Sequence, residues 1–243
     1  MLSAAKIIIF VLNFIFILIL ITLCFERFTA LKTPQMKHNF KARTRKILKY
    51  DNGMRQKCGG LLCGIDEAGR GPLAGPVVAA AVIFSDDVFI DGVFDSKMLT
   101  HQKREELFDE IISSALCYGI GIIDNNIIDG INILEATKTA MTNAVGKLKL
   151  APALIIVDGN FYSHPQHAVE NLIGGDALSF SIAAASILAK VTRDRMMIDF
   201  EKRYPQYSFS LHKGYATKKH IEEISEHGLS EIHRRSFKIR MLS

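Results

Sequence analysis

Between Leu61 and Phe84 an apolar run ends on two adjacent carboxylates and resumes only after a turn dense in glycine and proline. The stretch reads Cys63-Gly-Ile-Asp66-Glu67-Ala-Gly69-Arg70-Gly71-Pro72-Leu-Ala-Gly75-Pro76 and continues into Val77 to Phe84. Short apolar runs separated by glycine and proline read as strand, turn, strand, so Leu61–Ile65 and Val77–Phe84 are expected to pair as antiparallel neighbours. Successive side chains of a strand point to opposite faces, so Asp66 and Glu67 share a site only if the backbone turns there. Gly69-Arg70-Gly71 supplies such a turn and lets backbone approach a ligand closely. An acidic turn closing a hairpin would explain Asp-Glu alone. It does not explain so many special backbone residues in one string.

The following chain alternates helical and strand-like segments. Asp95-Ser-Lys97 lies in a loop, and Thr100 can cap a helix from about His101 to Ala115 with Leu107, Ile111 and Ala115 on its buried face. Leu116 to Ile123 alternates like a strand, and Asp129 is placed to cap a helix from about Ile131 to Leu148. Ala153 to Val157 is continuously apolar, as in a strand buried on both faces, and ends at Asp158-Gly159. A carboxylate at the carboxyl end of such a strand is a favoured place for chemistry. Phe161 to Ile173 reads as irregular. Gly174-Gly-Asp176 leads into a long helix from Phe180 to about Tyr204, apolar and alanine-rich at first, with Lys190, Arg193 and Arg195 emerging at its wetter end. A shorter helix is expected from about Lys218 to His227.

Charge divides this chain of 243 residues unevenly. Residues 1–57 hold 11 Lys/Arg against 2 Asp/Glu, residues 58–176 hold 7 against 16, and residues 177–243 hold 12 against 7. An acidic half able to collect divalent metal therefore adjoins a basic half able to track phosphates. Cys24, Cys58, Cys63 and Cys117 form no CxxC pair and have no His partner at zinc-ligand spacing, and Cys63 and Cys117, in strand-like apolar runs, read as buried thiols of a reducing compartment. From Ile7 to Phe25 no residue is charged, which is close to the length of a membrane span, and basic residues cluster after it. Residues 1–57 thus read as an anchor with a basic tether that leaves the body, residues 58–243, in the cytoplasm. An equally open reading starts translation at Met36 or Met54, leaving the apolar segment upstream.

The Cys63–Pro76 string resembles the first motif of the type 2 ribonucleases H (ribonuclease HII). Asp95-Ser-Lys97, Val157-Asp158-Gly159-Asn160, Gly175-Asp176, the segment Ser181 to Arg195, His212-Lys-Gly214-Tyr215 and Ile232-His-Arg-Arg-Ser236-Phe follow in that family's order. The resemblance implies an α/β fold, a ribonuclease H-like mixed sheet flanked by helices, with a small helical carboxyl-terminal part. It implies an endonuclease, expected to be monomeric, that hydrolyses RNA in RNA/DNA hybrids and single ribonucleotides embedded in duplex DNA, leaving 5′-phosphate and 3′-hydroxyl ends. Its four metal-binding acids map onto Asp66, Glu67, Asp158 and Asp176, holding Mn²⁺ or Mg²⁺. Asp194 competes for the fourth place but is assigned a structural pairing with Arg193 or another base. By the same resemblance Gly69, Arg70 and Gly71 present backbone donors to the ribose 2′-hydroxyl, Tyr215 stacks on the next sugar, and Lys97, Ser186 and Lys190 are phosphate contacts. Gly174, Met98 and Ala216 depart from the family's usual residues. Two competing readings are an idle nucleic-acid-binding module of the same fold and a phosphotransferase acting on a small substrate; the second lacks a P-loop.

Overall fold

The structure, a computed structural model, describes residues 40–238. The expected span at 7–25, the start at Met36 and Cys24 lie outside the described residues. Among the described residues no helix is long and apolar enough to cross a membrane.

Five strands form one mixed sheet in the order β3-β2-β1-β4-β5. They are β1 (Leu62–Ala68), β2 (Val77–Ile83), β3 (Cys117–Ile123), β4 (Leu154–Asp158) and β5 (Val169–Leu172). β1 and β2, and β2 and β3, pair antiparallel, as the first hairpin and the alternating third run lead one to expect. β4 joins β1 in parallel and carries β5 beyond it. The helices are α1 (40–58), α2 (His101–Ser114), α3 (Asn125–Ile131), α4 (Ile133–Val145), α5 (Phe180–Arg203), α6 (Phe209–His212) and α7 (Lys218–His227).

Every residue of β2 is buried, because α4 closes one face of the sheet and α5 the other, over the small side chains Ala79 to Ala81. On the α4 side Cys63, Ile65, Ala136, Ala140 and Ala144 share a core; on the α5 side Leu62 packs with Ile156, Ile182 and Met54. A β-carbon at Gly64 would fall 2.2 Å from the carbonyl carbon of Ser181, so only glycine lets α5 lie this close on β1. That contact brings Ser186 toward Asp66. A second, smaller core gathers Leu73, Met197, Tyr207, Phe209, Ile221, Ile224 and Ile232 around α6 and α7.

Three expectations need correction. The helix expected from about Ile131 to Leu148 is two helices broken at Asn132, which takes a left-handed φ of 70° and accepts from the backbone N–H groups of Leu134 and Glu135 to cap α4. Asp129 caps nothing; its carboxylate accepts from the N–H groups of Arg235 and Ser236 and from the Ser236 hydroxyl. The segment expected to be irregular, Phe161 to Ile173, contains β5, whose polar Glu170 and Asn171 hid its pattern, and Asn171 ties down the backbone of Tyr162.

The third correction concerns the tether. The compact unit begins at Arg43 rather than at residue 58. Thr44, Ile47, Asp51 and Met54, at helical spacing, are buried against the sheet's helices and loops. The Asp51 carboxylate accepts from both the N–H and the hydroxyl of Ser181 at 2.7 Å, meeting the first turn of α5 where the helix dipole favours an anion. Two of the four inward residues are polar, which obscures the stripe in the sequence. A chain starting at Met54 is therefore expected to lose on the order of 4 kcal/mol, from two buried side chains and the Asp51 hydrogen bonds. Its melting temperature, measured beside that of the full chain, should fall by roughly 10 °C.

Candidate active site

β1 and β4 are parallel neighbours with Ile65 opposite Val157, so Asp66 and Asp158 emerge side by side. Asp158 accepts from the Gly175 N–H at 2.8 Å, and this bond draws in the short 3-10 turn Gly175–Ala177 that carries Asp176. One carboxylate oxygen from each of Asp66, Asp158 and Asp176 lies within 4.8 Å of the others. β1 does not turn at the acids; both lie within it, and Glu67 is outside this group of three. Its Oε1 stands 3.4 Å from Arg70, while Oε2 is buried with no hydrogen-bond partner. Glu67 nevertheless lines the same cleft of about 290 Å³ as Asp66, Gly69, Arg70, Gly71, Lys97, Asp158, Ser186, Lys190 and Tyr215.

Burial, reinforced by the charges of Glu67 and Asp158, pushes the Asp66 carboxyl well above the usual carboxylate range. Burial also raises Glu67, against the pull of Arg70. The Lys97 ammonium, 3.3 Å from Asp176 and itself raised chiefly by that carboxylate, is too exposed to neutralise the cluster. Three converging hard oxygen donors, with the buried unpaired Oε2 of Glu67 lining the same cleft, fit a divalent cation such as Mg²⁺ or Mn²⁺.

Ser186 shares a hydrogen bond of 2.9 Å with Ser96 and also bonds Asp66, so it orients the acid from the α5 side. Lys190 is engaged by Asp194 at 2.7 Å, which gives Asp194 the structural partner expected for it, although not Arg193. Tyr215 is half exposed at the cleft, with Lys190 and Arg193 each 5.9 Å from its ring centre.

Sequence reasoning put Arg193 at a wet helix end and gave Arg234 no role, yet both are buried and brace from behind the loop that lines the cleft. Arg193 donates to the carbonyls of Pro76, Lys213 and Ala74 at 2.9–3.0 Å. Arg234 donates to Gly75, Arg70 and Gly69 at 3.0, 3.0 and 2.6 Å. Six carbonyls of the glycine-rich loop and its surroundings are thus turned inward onto two guanidinium forks. Gly69 takes φ +97°, and a β-carbon there would meet Arg193 Nε at 2.1 Å. The only hint in the sequence was Arg in an apolar helix and in the last motif.

A buried histidine chain supports Tyr215 from behind. The Ser230 N–H donates to His233 Nδ1, which leaves His233 Nε2–H for His220 Nε2 at 3.0 Å and His220 Nδ1–H for the Tyr215 carbonyl at 2.9 Å. Both rings are therefore neutral, and burial pushes each pKa down to about 4. Unfolded histidine titrates near 6.5, so the unfolded chain takes up protons first as pH falls. The stability held at neutral pH is expected to drain between about pH 6.5 and 4, on the order of 2 kcal/mol per ring. Urea unfolding at intervals across that window measures it; a flat profile would contradict the tautomer chain.

A mixed sheet with acids gathered at adjacent parallel strand ends, beside a backbone-walled cleft, defines a metal-dependent phosphodiester hydrolase. Residues 63–240 match the family model Ribonuclease HII. The chain is 54% identical over 188 residues to a Ribonuclease HII of Acetivibrio thermocellus, covering 77% of this chain and 73% of that protein. It is 53% identical over 192 residues to a Ribonuclease HII of Endomicrobium trichonymphae, covering 79% and 91%. Its fold is similar to the crystal structure of the ribonuclease H2 from Pyrococcus horikoshii OT3, with a TM-score of 0.62, 28% identity, and coverage of 73% of this chain and 94% of that one. The chain belongs to the Ribonuclease HII family. It is a metal-dependent endoribonuclease acting on the RNA of RNA/DNA hybrids.

Proposed function

We propose that the chain, as a cytoplasmic monomer, incises both long RNA/DNA hybrids and single ribonucleotides embedded in duplex DNA, leaving 5′-phosphate and 3′-hydroxyl ends and so opening the way to ribonucleotide excision. The observation that carries this is the convergence of three carboxylates within 4.8 Å, beside a loop whose carbonyls are turned inward. Mn²⁺ or Mg²⁺ would be held by Asp66, Asp158 and Asp176, with Glu67 completing the set through its unpaired oxygen. Divalent ions bound there would supply an activated water and stabilise charge on the leaving oxygen.

The protein's own groups select the step to be cut. With the Gly69 and Arg70 carbonyls bound to Arg234, the N–H groups of Arg70 and Gly71 on the same two peptide units face away from that fork and, with the Gly69 N–H, would serve as donors to a ribose 2′-hydroxyl, the group that marks RNA. Tyr215 offers a ring to the following deoxyribose, and its backbone is held by His220. Ser186 keeps Asp66 oriented, and Lys97 guards Asp176 until a phosphate approaches. Lys190 has its charge shared with Asp194, which makes it the weakest phosphate contact of the three.

The test uses the full chain, a duplex carrying one ribonucleotide, the all-DNA duplex, and either ion. Incision on the 5′ side of the ribonucleotide with no cut in the all-DNA duplex is expected. Tight binding of the ribonucleotide duplex without incision in either ion would overturn the reading and favour the idle binding module.

A further inference from the structure

We propose that the exposed basic edge of α1, centred on Arg43 and Lys46 with Lys49 beyond them, is an outlying phosphate-binding surface for the nucleic-acid duplex that leaves the catalytic cleft. This rests on the substrate reading above and extends the footprint to a helix that precedes the sheet. Four observations carry it.

First, position. Arg43 and Lys46 line a depression of about 220 Å³ together with Phe94, Asp95, Met98 and Ala177. Asp95 and Met98 bracket Lys97, the cation beside Asp176, and Ala177 follows Asp176 directly. The α1 cations are therefore separated from a catalytic carboxylate by a single turn of chain.

Second, rigidity. Asp51 on Ser181 and the Thr44 hydroxyl on the Val93 carbonyl at 3.2 Å dock α1 against the body. Arg43 is steadied by Met98 Sδ at 3.6 Å and by the Phe94 ring. Its charge is presented in place, so little ordering cost attaches to a phosphate contact.

Third, unspent charge. Among the described residues Arg43, Arg45, Lys46 and Lys49 form no ion pair, although all are exposed. The carboxylate lining the depression, Asp95, is turned to its own turn and accepts from the Lys97 N–H.

Fourth, geometry of the helix face. Arg43, Lys46 and Lys49 recur every three residues, so they form a stripe beside the buried one. A row of cations on a docked helix, continuing from a cleft, suits a rod of regularly spaced phosphates. An anionic lipid surface is the alternative polyanion. Continuity with the catalytic turn favours the duplex.

The experiment compares the full chain with the double variant Arg43→Ala/Lys46→Ala on two ribonucleotide-containing duplexes. One has flanks too short to leave the cleft and one has long flanks. On the long duplex the variant is expected to show roughly ten-fold weaker binding and a correspondingly higher KM at unchanged kcat. Its plot of log affinity against log salt should be shallower by about 2, for two lost phosphate contacts. On the short duplex the two proteins should be equal.

Equal affinity on the long duplex overturns the proposal, and so does an equal loss on both. Loss confined to binding of anionic phospholipid vesicles would assign the stripe to a membrane surface instead. Should the unmodified protein cut neither duplex, the catalytic reading fails by itself. The binding titrations would still decide the role of α1.

Discussion

Replacing Asp66 by Asn is expected to cut turnover by about 10³-fold, roughly 4 kcal/mol of transition-state stabilisation, while hybrid binding persists. Asp66 is the residue on which the others converge: it lies on β1 beside Asp158 of β4, and its carboxylate receives the Glu67 N–H at 2.7 Å and the Ser186 hydroxyl. Asn keeps the shape and removes one negative charge from a group of three. The same change should stabilise the metal-free protein. Burial and the two neighbouring carboxylates raise the Asp66 carboxyl in the fold, so ionising it works against folding. For an acid raised in the folded state, stability is fullest below the ordinary carboxylate range and is lost as pH climbs through the raised value. At neutral pH without metal the variant should therefore melt higher than the parent, by roughly 4 °C. Adding Mn²⁺ should reverse the order, because the parent gains binding energy that the variant largely lacks. Melting curves with chelator and with Mn²⁺ separate these effects from activity. A variant that melts lower in chelator and rises as much with Mn²⁺ would contradict the repulsion argument.

Arg193→Ala is expected to destabilise the protein by about 3–5 kcal/mol, the largest single-residue effect outside the acids. The side chain is wholly buried and serves three carbonyls that have been led inward to meet it. Removing it leaves those carbonyls in a cavity of guanidinium size. Burial lowers Arg193 to about 10 and Arg234 to about 9, so both remain charged at neutral pH. Arg234→Lys tests the same architecture with less damage. A lysine retains the charge, but a point ammonium does not bridge Gly75, Arg70 and Gly69 as a planar fork does. We expect that variant to fold, to lose about 2 kcal/mol in urea titrations, and to raise KM for the ribonucleotide duplex more than it lowers kcat. Equal stability and KM for Arg234→Lys would show that the loop holds its shape unaided.

Much of the frame was legible before any coordinates. The first hairpin, the Thr100-capped helix, the buried strand ending at Asp158 and the long alanine-rich helix all follow from local periodicity and turn residues. Such signals are written in neighbouring residues, and the structure keeps them because packing agrees with local preference. Asp66 and Asp158 could be singled out in the same way, since each stands at the end of an apolar run just ahead of a glycine turn, whereas Asp176 was chosen only through the family resemblance.

What tertiary structure alone decided is every pairing across long sequence distance. Asn132, at φ 70°, breaks a helix that periodicity would continue and caps the next one itself, while Asp129 is claimed by Ser236, more than 100 residues away. Residues 43–57 look like a basic tether until Asp51 meets Ser181 at a separation of 130. Arg193 and Arg234 look like surface charges until the glycine loop wraps its carbonyls around them, and Glu67 stands apart from the acid trio because β1 runs straight through it. For Asp129, Asp51, Arg193 and Arg234 a polar side chain is satisfied by backbone from a remote segment. Periodicity records which residues avoid water, but the partner of a buried polar group is set only when the folded chain brings its other half within hydrogen-bond reach.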